Sequence, residues 1–146
     1  MIKKDVKKSA YSLLARREHS QKELMQKLQL REFDAADIQV VLDALAEQDI
    51  QSDLRFGESM LRLRVAKGYG WIYIAAELKQ KGLTSDIIAA VYASQQVDWF
   101  LQAEIAYEKR FNSTEITDAK DKAKRVRFLQ YRGYSFEQIN AVLKLS

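Results

Sequence analysis

Apolar side chains recur in this sequence at a fixed and unusual spacing. Leu28 is followed five residues later by Phe33, five later by Ile38 and four later by Leu42. The same steps of 5, 5 and 4 run through Leu78, Leu83, Ile88 and Tyr92, and again through Leu129, Tyr134, Ile139 and Leu143. The copies lie 50 and 51 residues apart, and three evenly spaced copies across most of a chain indicate internal duplication. Gly82 and Gly133 each stand four residues after the first apolar position, where a helix closing in the left-handed conformation places its glycine. The first copy has Glu32 there, which predicts a looser or differently closed end. Asp34, Thr84 or Ser85, and Ser135 then supply N-caps for a following helix, and Ser135 with Gln138 has capping-box spacing. Each copy therefore reads as helix, tight turn, helix.

A further helix precedes each pair, over about 5–17, 53–67 and 97–111. Ser20-Gln21-Lys22-Glu23 is a full capping box ahead of Leu24 and Leu28. Lys67-Gly68-Tyr69-Gly70 breaks the chain before the second pair, and the polar stretch 112–117 does so before the third. The pattern predicts an all-α protein of about nine helices in three tandem three-helix repeats, about 5–50, 52–96 and 97–146, within a single domain spanning 1–146. Such repeats cover one another's apolar surfaces, and the expected array is elongated, right-handed or irregular.

Composition strengthens this picture. The chain of 146 residues has no proline and only five glycines, so little interrupts its helices. No cysteine and one histidine, His19, leave neither a disulfide nor a zinc constellation, and no metal or cofactor is expected. The longest apolar run, 71–76, is far short of a membrane span, and the charged start has no apolar signal core; a cytoplasmic location and no membrane partner are expected.

Charge is distributed in blocks. Residues 1–31 carry nine bases and three acids, whereas 32–53 carry seven acids and no base. Net charge is then +4 over 54–81, −4 over 82–108 and +5 over 109–146. Such blocks either pair across neighbouring helices or gather their basic members into a footprint for nucleic acid or an acidic protein. Three-helix units also suggest helix-turn-helix DNA readers. However, the third helix of the first repeat carries Asp34, Asp37, Asp43 and Glu47 without a base, which disfavours entry into a groove.

The strongest contact candidates are Lys120, Lys124, Arg127 and Tyr131, at steps of four, three and four on one helix face. The cations suit phosphates or acidic protein groups, and the tyrosine suits stacking; a merely solvated face has the same pattern. Arg16, Arg55 and Arg62 are further candidates. Arg17 reads as structural, pairing with a carboxylate or capping a helix end by its charge, and Arg64 flanks the core near Leu61. Lys67-Gly68-Tyr69-Gly70 lacks a phosphate-loop pattern and reads as a helix break. Trp71 and Tyr73 read as core or repeat-interface residues. Ser20 is a cap without a nucleophile's partners, and Asp53 a possible cap beside Arg55. With no catalytic residues standing out, an enzyme is not expected.

Several of these segments resemble the RecX family. Leu14-Ala15-Arg16-Arg17-Glu18-His19-Ser20 with Glu23-Leu24 is similar to its N-terminal signature. Asp53-Leu54-Arg55-Phe56, then Lys67-Gly68-Tyr69-Gly70 with Glu77-Leu78 and Lys81-Gly82, resemble its central repeat. Phe128-Leu129-Gln130-Tyr131-Arg132-Gly133-Tyr134-Ser135 resembles its C-terminal motif. Gly57 and Tyr134 stand where the family commonly has Ala and Phe. The resemblance implies tandem three-helix repeats and a cytoplasmic regulator that binds the RecA nucleoprotein filament. It further implies inhibition of recombinase, ATPase and co-protease activities, modulating DNA repair, recombination and the SOS response. Direct contacts to single- or double-stranded DNA are compatible with it. The other reading of the residues is an autonomous nucleic-acid-binding module.

Overall fold

The computed structural model describes residues 2–144, with side chains from Lys4 onward. Met1, Leu145 and Ser146, included in the expected domain, lie outside the described residues. Among the described residues are nine helices and no strand: α1 (Ile2–Arg16), α2 (Gln21–Leu30), α3 (Ala35–Glu47), α4 (Asp53–Ala66), α5 (Trp71–Gln80), α6 (Ser85–Ser94), α7 (Trp99–Phe111), α8 (Ala119–Tyr131) and α9 (Phe136–Leu143).

The 5-5-4 framework has a local explanation. Phe33 N–H donates to Leu28 O (3.4 Å) and Glu32 N–H to Gln29 O (2.9 Å), the two hydrogen bonds of a Schellman closure. Leu83 to Leu78 (3.1 Å) with Gly82 to Lys79 (3.0 Å), and Tyr134 to Leu129 (3.1 Å) with Gly133 to Gln130 (3.0 Å), repeat it. The first step of five thus joins the two apolar positions that flank a Schellman turn. The second step of five, Phe33 to Ile38, joins the residue before the N-cap to the fourth helical position, the positions of a hydrophobic staple. The last step is one turn of helix.

Glu32 closes its helix as the glycines do. Its φ of 68° matches in sign those of Gly82 (89°) and Gly133 (95°), and only the longer Phe33–Leu28 bond bears out a looser end. Asp34 is the N-cap of α3, but its side chain makes no cap hydrogen bond, whereas Ser20 and Ser135 each form a complete capping box. Thr84 Oγ1 accepts from Ile87 N–H at 3.4 Å. One framework position departs from the pattern: Tyr92 is 47% exposed, and Val91 beside it is fully buried in its place.

The chain forms two compact units, Met1–Ser59 with Leu78–Tyr92, and Met60–Glu77 with Ala93–Ser146. In the first, α3 packs on α1 and α2 around Val6, Ala10, Leu24, Leu28, Ile38 and Leu42. In the second, α9 packs on α7 and α8 around Ala103, Tyr107, Phe111, Leu129, Tyr134 and Ile139. Each unit also seats the start of one repeat's second helix on the glycine turn of the next repeat. In the first unit a Cβ on Gly82 would come within 2.8 Å of Lys22 Cβ, and Lys22 Nζ donates to Gln80 O (2.9 Å). In the second unit Gly70 N–H donates to Arg132 O (2.6 Å) and Ile72 N–H to Gly133 O (3.0 Å). There a Cβ on Gly133 would lie 2.4 Å from Tyr73 N.

Gly57 has a similar reason. A Cβ there would meet Val91 Cγ2 at 2.5 Å, so the absence of the methyl admits Val91 against α4.

Candidate functional site

Helix α8 begins at a polar clasp. Asp118 is its N-cap and accepts from Asp121 N–H (2.8 Å), while Asp121 Oδ2 accepts from Thr117 N–H (3.1 Å). The Thr117 amide, with Arg125 beside it, holds the Asp121 carboxyl below its usual range. Carboxylates at the start of a helix also face its positive end.

Arg125, on the same helix as the candidate cations, is buried, with 3% exposure. Its guanidinium donates to Tyr107 Oη (2.7 Å), Thr114 O (2.7 Å), Thr114 Oγ1 (3.1 Å) and Glu115 O (3.1 Å), and pairs with Asp121 at 3.0 Å. It also lies 4.8 Å from the Phe111 ring centroid. A buried charge persists when its donors are satisfied, and this one straps the 112–118 connection onto α8. The four-residue spacing of Asp121 and Arg125 was the only available sequence signal, and it equally describes a surface ion pair.

With Arg125 and Leu129 facing inward, Lys120, Lys124, Arg127 and Tyr131 are all exposed, Tyr131 to 78%. Lys120, Lys124 and Arg127 border one shallow depression of about 470 Å³ together with the 114–118 connection. Of the carboxylates bordering it, Asp118 and Asp121 are engaged by the helix end and by Arg125, while Glu115 is exposed beside the three cations, whose charge exceeds its own.

The remaining candidates are placed differently. Arg16 is exposed at the end of α1, in the first unit, and Arg62 is exposed on α4, in the second. Arg55 is engaged: it pairs with Glu18 (3.1 Å) and Asp49 (3.0 Å) and donates to Asp49 O and Ile50 O. It braces the turn where Asp49 takes a φ of 59°. Arg64 makes two bonds to Glu77 (2.7 and 2.8 Å). Trp71 lies 6.1 Å from Trp99, centroid to centroid, and Tyr73 stacks on Tyr69 at 4.2 Å.

A polar cluster that the sequence reading did not assemble lies at the start of α2. Glu23 is buried, accepts from Ser20 N–H (3.1 Å), takes two bonds from Arg17 (3.2 and 3.1 Å) and pairs with Lys81 (3.3 Å). Burial opposes its ionisation, but these partners overcome that and hold its carboxyl below the usual value. His19 is 1% exposed; Nδ1 donates to Arg17 O (3.0 Å), so Nε2 accepts from Lys27 Nζ (2.9 Å). Burial first, then the cations Arg17 and Lys27, keep its pKa below the ordinary histidine value. Asp53 is a cap, though for another helix: Oδ1 accepts from Gln21 N–H at the start of α2 (2.9 Å), while Ser52 Oγ accepts from Arg55 N–H in α4 (3.1 Å). Among the described residues, no group of three or more His, Cys, Asp or Glu could hold a metal ion, and no helix is long and apolar enough to cross a membrane.

Comparison with known proteins matches this architecture repeat by repeat. Residues 7–45, 52–91 and 98–143 match the family descriptions for the first, second and third three-helix domains of RecX. A protein of Vibrio campbellii named regulatory protein RecX is 44% identical over 137 residues, covering 94% of this chain and 88% of its own. One of Halorhodospira halophila with the same name is 40% identical over 136 residues, covering 93% and 84%. A crystal structure of RecX from Lactobacillus salivarius superposes with a TM-score of 0.83 at 19% identity, covering 99% of this chain and 98% of that one. Three successive domain matches in the expected order, joined to this identity over nearly the whole chain, show that it belongs to the RecX family.

Proposed function

We propose that this chain is a non-enzymatic regulator that binds the RecA nucleoprotein filament and inhibits its recombinase, ATPase and co-protease activities, with the α8 face as a main contact. One observation carries the choice of surface. Lys120, Lys124 and Arg127 border one depression, Tyr131 is exposed on the same helix, and two of the three bordering carboxylates, Asp118 and Asp121, are turned to internal work. Three cations so placed suit phosphates of filament-bound DNA or carboxylates of the filament protein, and Tyr131 suits stacking. Arg16 and Arg62 are secondary contacts in this reading; Arg55 contributes through the turn that it holds. A cytoplasmic site of action follows from such a partner.

The test replaces Lys120, Lys124 and Arg127 together by Ala and measures helicity, filament affinity and inhibition of RecA ATPase in parallel. Helicity is expected to stay and both affinity and inhibition to fall. If the cations meet phosphates, the logarithmic salt slope falls in magnitude by about 2 to 3. If they meet carboxylates, affinity falls without that change. A folded variant with unchanged affinity and inhibition removes the α8 face from the interface. Tighter binding to bare DNA than to RecA-coated DNA at equal salt would replace the filament reading by that of an autonomous nucleic-acid-binding module.

A further inference from the structure

The second unit carries another surface with different chemistry. A cavity of about 420 Å³ lies beside the end of α4, and its apolar lining comes from Val65, Ile105, Ala106 and Phe128. Ile105 is 50% exposed despite its size. Around this lining stand Lys67, Lys109, Arg110 and Arg132, and neither Asp nor Glu borders the cavity. None of these four cations belongs to the six ion pairs found among the described residues.

The cations are also partly preset. Arg132 donates to Lys67 O (2.9 Å) and lies 5.0 Å from the Tyr69 centroid and 5.1 Å from that of Phe128. Arg110 lies 6.0 Å from the Phe128 centroid. Two guanidiniums therefore occupy the neighbourhood of the one ring in the cavity, and what remains open to a ligand is aliphatic.

We propose that this cavity is a docking site for an acidic peptide segment of a partner protein, carrying one bulky apolar side chain between carboxylates. The apolar side chain enters over Ile105 and Ala106, and the flanking carboxylates meet the four cations, which have no acidic neighbour in the lining. Charge complementarity selects an acidic partner, and the concave, largely aliphatic lining selects a side chain over a nucleobase. A single strand would satisfy the cations, but its bases stack on open aromatic faces. Tyr131 offers such a face; this cavity does not. The inference is independent of the filament reading, because its test contains no RecA and uses DNA only as the competing ligand.

The probe is a five-residue peptide with one phenylalanine flanked on each side by two glutamates, titrated into the ¹⁵N-labelled full chain and followed by amide chemical shifts. The expected result is saturable shifts centred on Gly68, Gln102 and Ala106. Replacing the phenylalanine by alanine, or the glutamates by glutamines, weakens binding at least tenfold. In the protein, Lys67→Glu with Lys109→Glu, and separately Ile105→Ser, weaken it to a similar extent. All these side chains are exposed, so the spectrum of each variant reports that the fold is intact. Lys7→Glu with Lys8→Glu, an equal charge change in the other unit, leaves binding within twofold. Three results overturn the proposal: no saturable shifts, shifts insensitive to loss of the phenylalanine, or equal shifts at the cavity from a ten-nucleotide oligothymidylate.

Discussion

The two glycine turns that receive a neighbouring repeat are built on one plan and closed by two chemistries. At Gly82 the helix above arrives through side chains: Lys22 reaches Gln80 O, and Glu23 reaches Lys81. At Gly133 it arrives through backbone, with Gly70 and Ile72 donating to Arg132 O and Gly133 O. Tyr134 Oη adds bonds to Gly68 O (2.8 Å) and Gln102 O (3.3 Å). A duplicated apolar framework therefore specifies where repeats meet without specifying the contact. Flexible side chains tolerate adjustment and respond to pH; backbone against backbone tolerates neither an added atom nor a shift.

The largest predicted effect tests that distinction directly. Both glycines have positive φ, so alanine at either place costs about 1–2 kcal/mol in backbone strain. Gly133→Ala also drives a methyl against Tyr73 N and Cβ, and a total loss of about 3–5 kcal/mol is expected in urea unfolding. Gly82→Ala meets only the stem of Lys22, and a loss of about 2 kcal/mol is expected. Equal losses would show that the two contacts are equally rigid.

Next comes the charge of the Glu23 cluster. Glu23→Gln retains an acceptor for the capping box, as Gln138 does in α9, but gives up the charge that Arg17 and Lys81 meet. A loss of about 2 kcal/mol at pH 7 is expected. Glu23 and His19 both have folded pKa values below their ordinary 4.5 and 6.5, so the unfolded chain takes up protons first. Their stabilisation is present above those values and is lost as pH falls, through His19 first and Glu23 after it. Urea midpoints between pH 8 and 4 should decline in that order, and Glu23→Gln should flatten the lower part of the decline.

The second unit responds at the other end of the scale. Burial pushes the Tyr134 hydroxyl up to about 12, above the ordinary 10.0, so the unfolded chain loses this proton first. Its contribution is present below pH 10 and is lost as pH rises toward 12. Tyr134→Phe leaves the Gly68 and Gln102 carbonyls without this donor, costing about 1 kcal/mol, and should remove that part of the alkaline decline in the urea midpoint.

The smallest effect concerns the turn with no receiving role. Glu32 is exposed and holds a φ of 68°, a conformation strained for a side-chain-bearing residue. Glu32→Gly should therefore stabilise the chain by about 0.5–1 kcal/mol, read as a higher urea midpoint. An unchanged or lower midpoint would show that the side chain offsets the strain.

The contrast among these turns also marks how far the sequence could be read. A glycine at 82 and 133 was legible as a left-handed cap, but its second role, admitting a neighbouring helix, depends on residues 60 positions away. The α8 face was legible because helical spacing alone puts Lys120, Lys124, Arg127 and Tyr131 on one side. Arg125 was not, because a cation on a polar helix resembles its neighbours until Tyr107 and the 114–115 carbonyls arrive around it. Tyr92 fits the apolar spacing, yet Val91 took the core position, since spacing does not distinguish two adjacent apolar residues at the edge of a buried face.

By itself the sequence determined the helices, the capping boxes at Ser20 and Ser135, the threefold repeat and the family, all of which depend on interactions within a few residues or on order along the chain. Only the tertiary structure decided which charges face outward. Arg55 and Arg125 became internal braces, Glu23 and His19 entered a buried network, and Lys120, Lys124 and Arg127 remained at the surface. The reason is desolvation: a charged group leaves water only where several partners converge on it, and here they converge through folded connections, with Tyr107 and the 114–115 carbonyls on Arg125 and Arg17 with Lys81 on Glu23.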